Sequence, residues 1–168
     1  MELWLIRHVD AGDPVLDGDD GARAPTEEGR AQARVLERAL ERLGVEFDVL
    51  LHSPLLRAIE TGEALVPRLA PRGTTRTSAH LAEAPSLALL EELVDVRRAA
   101  VVGHEPWLGA LAFWLATGWS SSAPEKQPTW VRLEKGGALR LSGEPAPGRM
   151  RVEALFDRRA LRRTTRRR

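Results

Sequence analysis

Three short segments of this chain each end an apolar run in side chains suited to holding an oxyanion. Leu3-Trp4-Leu5-Ile6 finishes in Arg7 and His8, and Val49-Leu50-Leu51-His52-Ser53-Pro54 leads into Arg57. Ala100-Val101-Val102-Gly103 leads into His104. A buried strand does not end in adjacent cationic or polar groups without something anionic to meet them. Guanidinium groups match phosphate oxygens bidentately, and an imidazole can attack phosphorus or donate to its oxygens. Three such junctions point to chemistry on a phosphoryl group.

The segments between them alternate strand and helix. Glu2–Arg7 reads as a first strand, followed by an Asp-, Gly- and Pro-rich loop over Asp10–Pro25. Thr26 can cap a helix whose first turn carries Glu27 and Glu28, which suit the positive end of the helix dipole. Val35, Leu36, Ala39, Leu40 and Leu43 form its apolar stripe, and Gly44 is a plausible stop. Asp48–His52 reads as the second strand. Ser53-Pro54 is a cap-and-first-turn pair for a second helix with the stripe Leu55, Ile59, Leu65, Val66 and Leu69. A short strand is expected at Thr75–His80 and a third helix at Ser86–Val94. Ala99–Val102 has the unbroken apolar character of a strand covered on both faces. Pro106 opens a fourth helix over Trp107–Ala116. After a Ser/Pro/Lys-rich loop at 117–128 the period changes to two. Trp130–Glu134, Ala138–Leu141 and Met150–Phe156 then read as antiparallel strands. The expected architecture is a three-layer α/β sandwich with a mostly parallel central sheet and helices on both faces. Ligands of such sheets sit beyond the carboxyl ends of the strands, where Arg7, His8, Arg57 and His104 fall.

The ordered motifs carry a resemblance. Leu-Ile-Arg7-His8-Val-Asp10-Ala, Arg23-Ala-Pro-Thr26-Glu-Glu-Gly29, Ser53-Pro54-Leu-Leu-Arg57-Ala and Val-Val-Gly103-His104-Glu-Pro-Trp107 together resemble the histidine phosphatase superfamily. Its small SixA-type phosphohistidine phosphatases are the nearest likeness. The resemblance implies a phosphoglycerate mutase-like fold, with His8 as the nucleophile that forms a covalent phosphohistidine. Arg7 and Arg57 would clamp the nonbridging oxygens, and His104 would donate a hydrogen bond to the transferred group. Arg23 would add a further phosphate contact. For protonation of the leaving group the resemblance offers Glu83 and Asp10 as competing positions. His52 and His80 are read as structural. Val9 departs from the Gly common in the superfamily and could narrow the approach to His8.

No cofactor is expected. The aspartates at 10, 13, 17, 19 and 20 do not follow a calcium-loop pattern, and no paired-histidine metal spacing exists. A Gly-rich loop ending in Gly-Lys is also missing, which excludes nucleotide hydrolysis of that type. Between Leu69 and Ala99 there is room for one strand and one helix but not for a helical cap. An uncapped crevice suits a phosphorylated side chain presented by another protein, so the expected substrate is protein phosphohistidine. The alternatives are a phosphomonoesterase acting on a small metabolite and a non-catalytic phosphate-binding module.

The chain has 168 residues, no Cys and a formal charge of +1. That length suffices for one domain with a substantial core, expected over residues 1–156. Residues 157–168 hold seven Arg and one Asp, leaving 18 basic against 23 acidic residues before them. This tail reads as a frayed, solvated terminus. No targeting segment is visible at the start, and no run approaches the ~20 apolar residues of a membrane span. The expectation is a cytoplasmic monomer that engages neither nucleic acid nor membrane.

Overall fold

The computed structural model describes residues 1–13, 19–119 and 131–166. Six strands form one mixed sheet: β1 (Glu2–Arg7), β2 (Phe47–His52), β3 (Leu69–Thr77), β4 (Arg98–Gly103), β5 (Ala138–Gly143) and β6 (Met150–Phe156). Their order across the sheet is β3-β2-β4-β1-β5-β6. The first four in that order are parallel, while β5 and β6 run antiparallel at one side. Among the described residues five α-helices cover the faces: α1 (Glu27–Arg42), α2 (Leu56–Ala64), α3 (Leu87–Glu91), α4 (Trp107–Thr117) and α5 (Arg158–Thr165).

Side chains alternate across a strand, so the central strands must be apolar on both faces. Leu3, Leu5, Leu51, Val101, Leu139 and Leu141 pack with Leu89, Leu90, Leu108, Leu111 and Leu115 from α3 and α4. Trp4, Ile6, Leu50, Val102 and Ala138 pack on the opposite face with Leu36, Leu40, Ala58 and Leu161 from α1, α2 and α5. Two apolar layers therefore sandwich one sheet. No described helix is long and apolar enough to cross a membrane.

Register is what positions the site. In the parallel ladder Arg7 pairs with Gly103 and His52 with Val102, so β1, β2 and β4 end level. The pairing continues past the strands: His8 N–H donates to Gly103 O at 3.0 Å, and Ser53 N–H to Val102 O at 3.0 Å.

Several local expectations are corrected. Helix α2 begins after Leu55, not at Ser53-Pro54, and it lacks a side-chain cap. Its buried face is Arg57, Ala58, Thr61 and Gly62, one step out of phase with the expected Leu55/Ile59 stripe. Leu69 starts β3, which begins well before Thr75 and ends before His80. Helix α3 is shorter than expected, capped by Ser86, whose side chain accepts from Leu89 N–H. The expected strand at Trp130–Glu134 begins outside the described residues, and Val131–Glu134 are not strand. Asp17 and most of the expected 117–128 loop also lie outside the described residues.

The basic C-terminal segment is not a frayed tail. Asp157 caps α5 by accepting from Ala160 N–H at 2.6 Å, and Leu161 is buried against α1 and the sheet. Its arginines stay outside: Arg158 pairs with Glu28 and Glu134, and Arg159, Arg162, Arg163 and Arg166 are exposed. One apolar side chain anchors a helix that composition alone presents as solvated.

Candidate active site

The candidate site lies at the level ends of β1, β4 and β2. His8 follows β1 and is buried, with its ring 4.9 Å from that of His104 and tilted by 48°. His8 Nδ1 lies 2.7 Å from the backbone oxygen of Val9. A carbonyl can only accept, so Nδ1 carries the proton and Nε2 presents a lone pair. Burial first, then the nearby guanidiniums of Arg57 and Arg7, bring His8 down from 6.5 to about 4. The ring is neutral at pH 7, the state a nucleophile requires.

Val9 is itself fixed. Its N–H donates to Thr61 Oγ1 at 3.2 Å, and that hydroxyl donates to Arg57 O at 2.6 Å. One hydroxyl on α2 thus ties the segment carrying His8 to the helix turn carrying Arg57. The Val9 side chain is fully buried, with Cγ1 beside Gly136.

Arg7 donates through Nη1 to Leu133 O at 2.8 Å, and Leu133 N–H donates to Glu105 Oε1 at 2.7 Å. Glu105 also accepts from Gly109 N–H in α4, and burial raises its pKa. Burial likewise lowers the pKa of Arg7.

Arg57 is buried on the inner face of α2. Nη1 donates to Asp20 O at 2.7 Å and Nη2 to Asp20 Oδ2 at 2.8 Å. Arg23 takes the other carboxylate oxygen at 2.7 Å and donates to Gly12 O at 2.6 Å. Asp20 therefore bridges two of the predicted phosphate ligands. Burial alone would raise its carboxyl, but hydrogen bonds and charge from Arg57 and Arg23 hold it below the usual range.

His104 follows β4, and its Nε2 lies 2.7 Å from Ser53 Oγ. Burial, then His8 and Arg57, lower it from 6.5 to about 3. Buried side-chain nitrogens with no hydrogen-bond partner among the described residues include Nε of Arg7, Arg23 and Arg57 and Nδ1 of His104. Buried donors are ordinarily satisfied. Each of these four nitrogens belongs to a predicted anion ligand.

The structure thus brings together Arg7, His8, Arg57 and His104, with Arg23 joined through Asp20. Asp10 is bound to other partners. Its carboxylate is committed to Lys135 Nζ at 2.7 Å, Thr26 Oγ1 at 2.9 Å and Gly12 N–H at 3.3 Å. These bonds, Lys135 foremost, bring it down to about 2, so it has no proton to give near neutral pH. Glu83 is exposed and has no hydrogen bond or ion pair among the described residues. His52 is buried, with Nδ1 3.2 Å from Ser53 O and its ring against Gly62. His80 is partly exposed in a 3-10 turn, Ala79–Leu81. No described group of His, Asp and Glu could hold a metal ion.

Sequence reasoning missed Ser53, Thr61, Asp20 and Lys135 as parts of this site. Ser53 was read as a helix cap, but its hydroxyl turns to His104 instead. The signal available for Thr61 was its spacing: four residues after Arg57, it shares the helix face that points inward.

Residues 3–87 match the family model described as the histidine phosphatase superfamily (branch 1). An uncharacterized protein of Picosynechococcus sp. is 31% identical over 170 residues, covering 94% of this chain and 92% of its own length. Among solved structures, the protein histidine phosphatase SixA complexed with tungstate superposes with a TM-score of 0.75 at 22% identity, covering 96% of this chain and 99% of that one. The α-ribazole phosphatase from Shigella flexneri superposes with a TM-score of 0.73 at 19% identity, covering 94% and 97%. At such identities the two superpositions speak for the fold. Together with the family match across β1, α1, β2 and α2, they make this chain a member of the histidine phosphatase superfamily.

Proposed function

We propose that this protein is a phosphatase that works through a covalent phosphohistidine on His8, and that its substrate is phosphohistidine on another protein. The observation that carries the reading is the tautomer of His8. Its Nδ1–H is tied to Val9 O, and Nε2 has no partner among the described residues, with Arg7, Arg57 and His104 close by.

In the first step the Nε2 lone pair attacks phosphorus in line with the bond to the leaving group. The P–N bond to the substrate imidazole, which carries a proton on its far ring nitrogen, breaks as the new P–N bond to His8 forms, and a neutral imidazole leaves. Arg7, Arg57 and His104 hold the nonbridging oxygens, where charge gathers in the transition state. In the second step water attacks the phosphohistidine, releasing inorganic phosphate and restoring neutral His8. The Val9 carbonyl supports both steps, because Nδ1–H becomes more acidic when Nε2 bonds to phosphorus.

The choice of leaving group follows from the acids nearby. Asp10 is ionised, Asp20 is held by two arginines, and Glu83 is exposed and without partners. Glu105 has a raised pKa, but its oxygens accept from two backbone N–H groups. An alkoxide needs an acid to leave. A phosphoimidazole protonated on its far nitrogen leaves as neutral imidazole without further help, so a site with no poised acid among the described residues suits a P–N substrate. A second reading, phosphate ester hydrolysis on a small metabolite, is supported by the likeness to α-ribazole phosphatase.

Rapid quench with a ³²P-phosphohistidine peptide tests this. An acid-labile, alkali-stable adduct is expected on the wild type and none on His8→Ala. Absence of the adduct in the wild type at any quench time points instead to a phosphate-binding module. Faster turnover of sugar phosphates or p-nitrophenyl phosphate than of the peptide favours the metabolite reading.

A further inference from the structure

We infer that Ser53 is a positioning residue that locks His104 as the Nδ1–H tautomer, so that this ring meets the bound oxyanion as a neutral donor through Nδ1. The inference rests on the phosphatase reading for its catalytic consequence, but the tautomer itself follows from hydrogen-bond accounting.

Ser53 is fully buried, and its backbone is fixed by the ladder bond to Val102 O. Its hydroxyl has two described contacts. Oγ accepts from Leu55 N–H at 3.3 Å and lies 2.7 Å from His104 Nε2. A hydroxyl has one proton to give and two lone pairs to offer. If His104 carried its proton on Nε2, both contacts would point into Oγ. The Ser53 proton would then have no described acceptor, and His104 Nδ1 would be an unused buried acceptor. With the proton on Nδ1, Ser53 accepts from Leu55 and donates to Nε2. One group alone is then left unsatisfied, the Nδ1–H. Fewer buried orphans is the cheaper arrangement.

The remaining orphan is useful where it stands. The His104 ring sits 4.9 Å from the nucleophile's ring, and its charge state is coupled to Arg57 and His8. An anion bound to His8, Arg7 and Arg57 would satisfy Nδ1–H. A permanently protonated imidazolium could donate as well, but burial beside two guanidiniums opposes it. The hydroxyl thus supplies a donor without a charge.

Ser53 and Thr61 then play matching parts. Each is a buried hydroxyl, one at the end of β2 and one on α2, and each fixes one half of the histidine pair through a single contact. Thr61 acts on His8 through the Val9 backbone, whereas Ser53 acts on the His104 ring directly.

Long-range ¹H–¹⁵N spectra of ¹⁵N-histidine-labelled protein read the tautomer, with His104→Gln to assign the signals. The wild type is expected to show His104 with Nδ1 protonated and Nε2 bare, and tungstate should shift the Nδ1–H resonance. Ser53→Ala should lose the single tautomer and lower kcat about tenfold, the scale of one hydrogen bond, with KM within about twofold. Ser53→Thr, which keeps the hydroxyl, should restore both. A wild-type proton on Nε2, or a Nδ1–H blind to tungstate, overturns the inference even if Ser53→Ala does not fold. Unchanged kcat in a folded Ser53→Ala also overturns it. The expected spectra without turnover of any phosphorylated substrate would leave the tautomer standing and remove the phosphatase reading.

Discussion

Arg57 meets Asp20 twice, with Nη1 on its carbonyl oxygen at 2.7 Å and Nη2 on its carboxylate at 2.8 Å. Arg23 holds the other carboxylate oxygen, so Asp20 stands as an internal anion on the groups that would take a phosphoryl oxygen. An incoming anion must share or displace it. Asp20→Asn should therefore bind tungstate several-fold more tightly, on the order of 1 kcal/mol for a half-exposed charge. Isothermal titration decides the sign. Weaker binding would mean that Asp20 aims Arg57 more than it competes with substrate.

Replacing Arg57 by lysine keeps a charge but loses the planar fork that reaches Asp20 and phosphate together. We expect kcat to fall by roughly 10² to 10³. Steady-state kinetics on a phosphohistidine peptide checks this, and a loss below about threefold would remove Arg57 from the clamp.

Stability should depend on pH through the two buried imidazoles. Both are lowered in the fold, His8 to about 4 and His104 to about 3, against 6.5 when unfolded. Between these values the unfolded chain binds more protons, so stability rises with pH. It should be full above about pH 7 and be lost as pH falls through about 4. His8→Asn should flatten the profile by about 2 to 4 kcal/mol between pH 7 and 4. Urea midpoints of the two proteins at each pH give the difference. Parallel profiles would mean that the His8 pKa is not depressed.

Gly29 lies in the first turn of α1, where an added Cβ would come within 2.0 Å of Asp10 O. The neighbour is backbone, held by Thr26 N–H while Lys135 fixes the carboxylate of the same residue, so it has little room to give. Gly29→Ala should cost about 2 kcal/mol or more despite alanine's better helix propensity. It should also disturb the segment behind His8. An unchanged melting temperature would show that α1 shifts freely.

The C-terminal helix should matter to stability. Leu161 is 1% exposed, and Leu161→Ala should cost about 2 to 4 kcal/mol. Truncation after Phe156 should lower the melting temperature further, while kcat measured well below that temperature should stay within about twofold. A truncated chain as stable as the full one would return α5 to the role of a solvated appendage.

Much of this was legible in the residues themselves. β1 and β4 show as apolar runs because both faces of a central strand are buried, and the side chains that end them are conspicuous against that background. Thr26 before two glutamates marks α1 by cap and dipole alone. What failed is equally physical. The stripe expected for α2 through Leu55 and Ile59 is displaced because the Arg57 guanidinium is itself turned inward, so the buried face runs through Arg57, Ala58, Thr61 and Gly62. Ser53 before Pro54 is a sound capping signal, but its hydroxyl is claimed by a ring 51 residues away. α5 was hidden because a single leucine among arginines makes no pattern. Asp10 looked like a free acid, since nothing local reveals a lysine 125 residues further on.

The level ends of β1, β4 and β2 have one more consequence. These strands are interior to the sheet, with β3 and β6 at its margins. Fraying at either margin opens the rim and leaves the middle shut. Amide deuteration should therefore be slowest at Leu5, Leu51 and Val101, directly beneath His8. Heat should extinguish turnover only when the whole molecule melts, with no inactive but otherwise native species on the way.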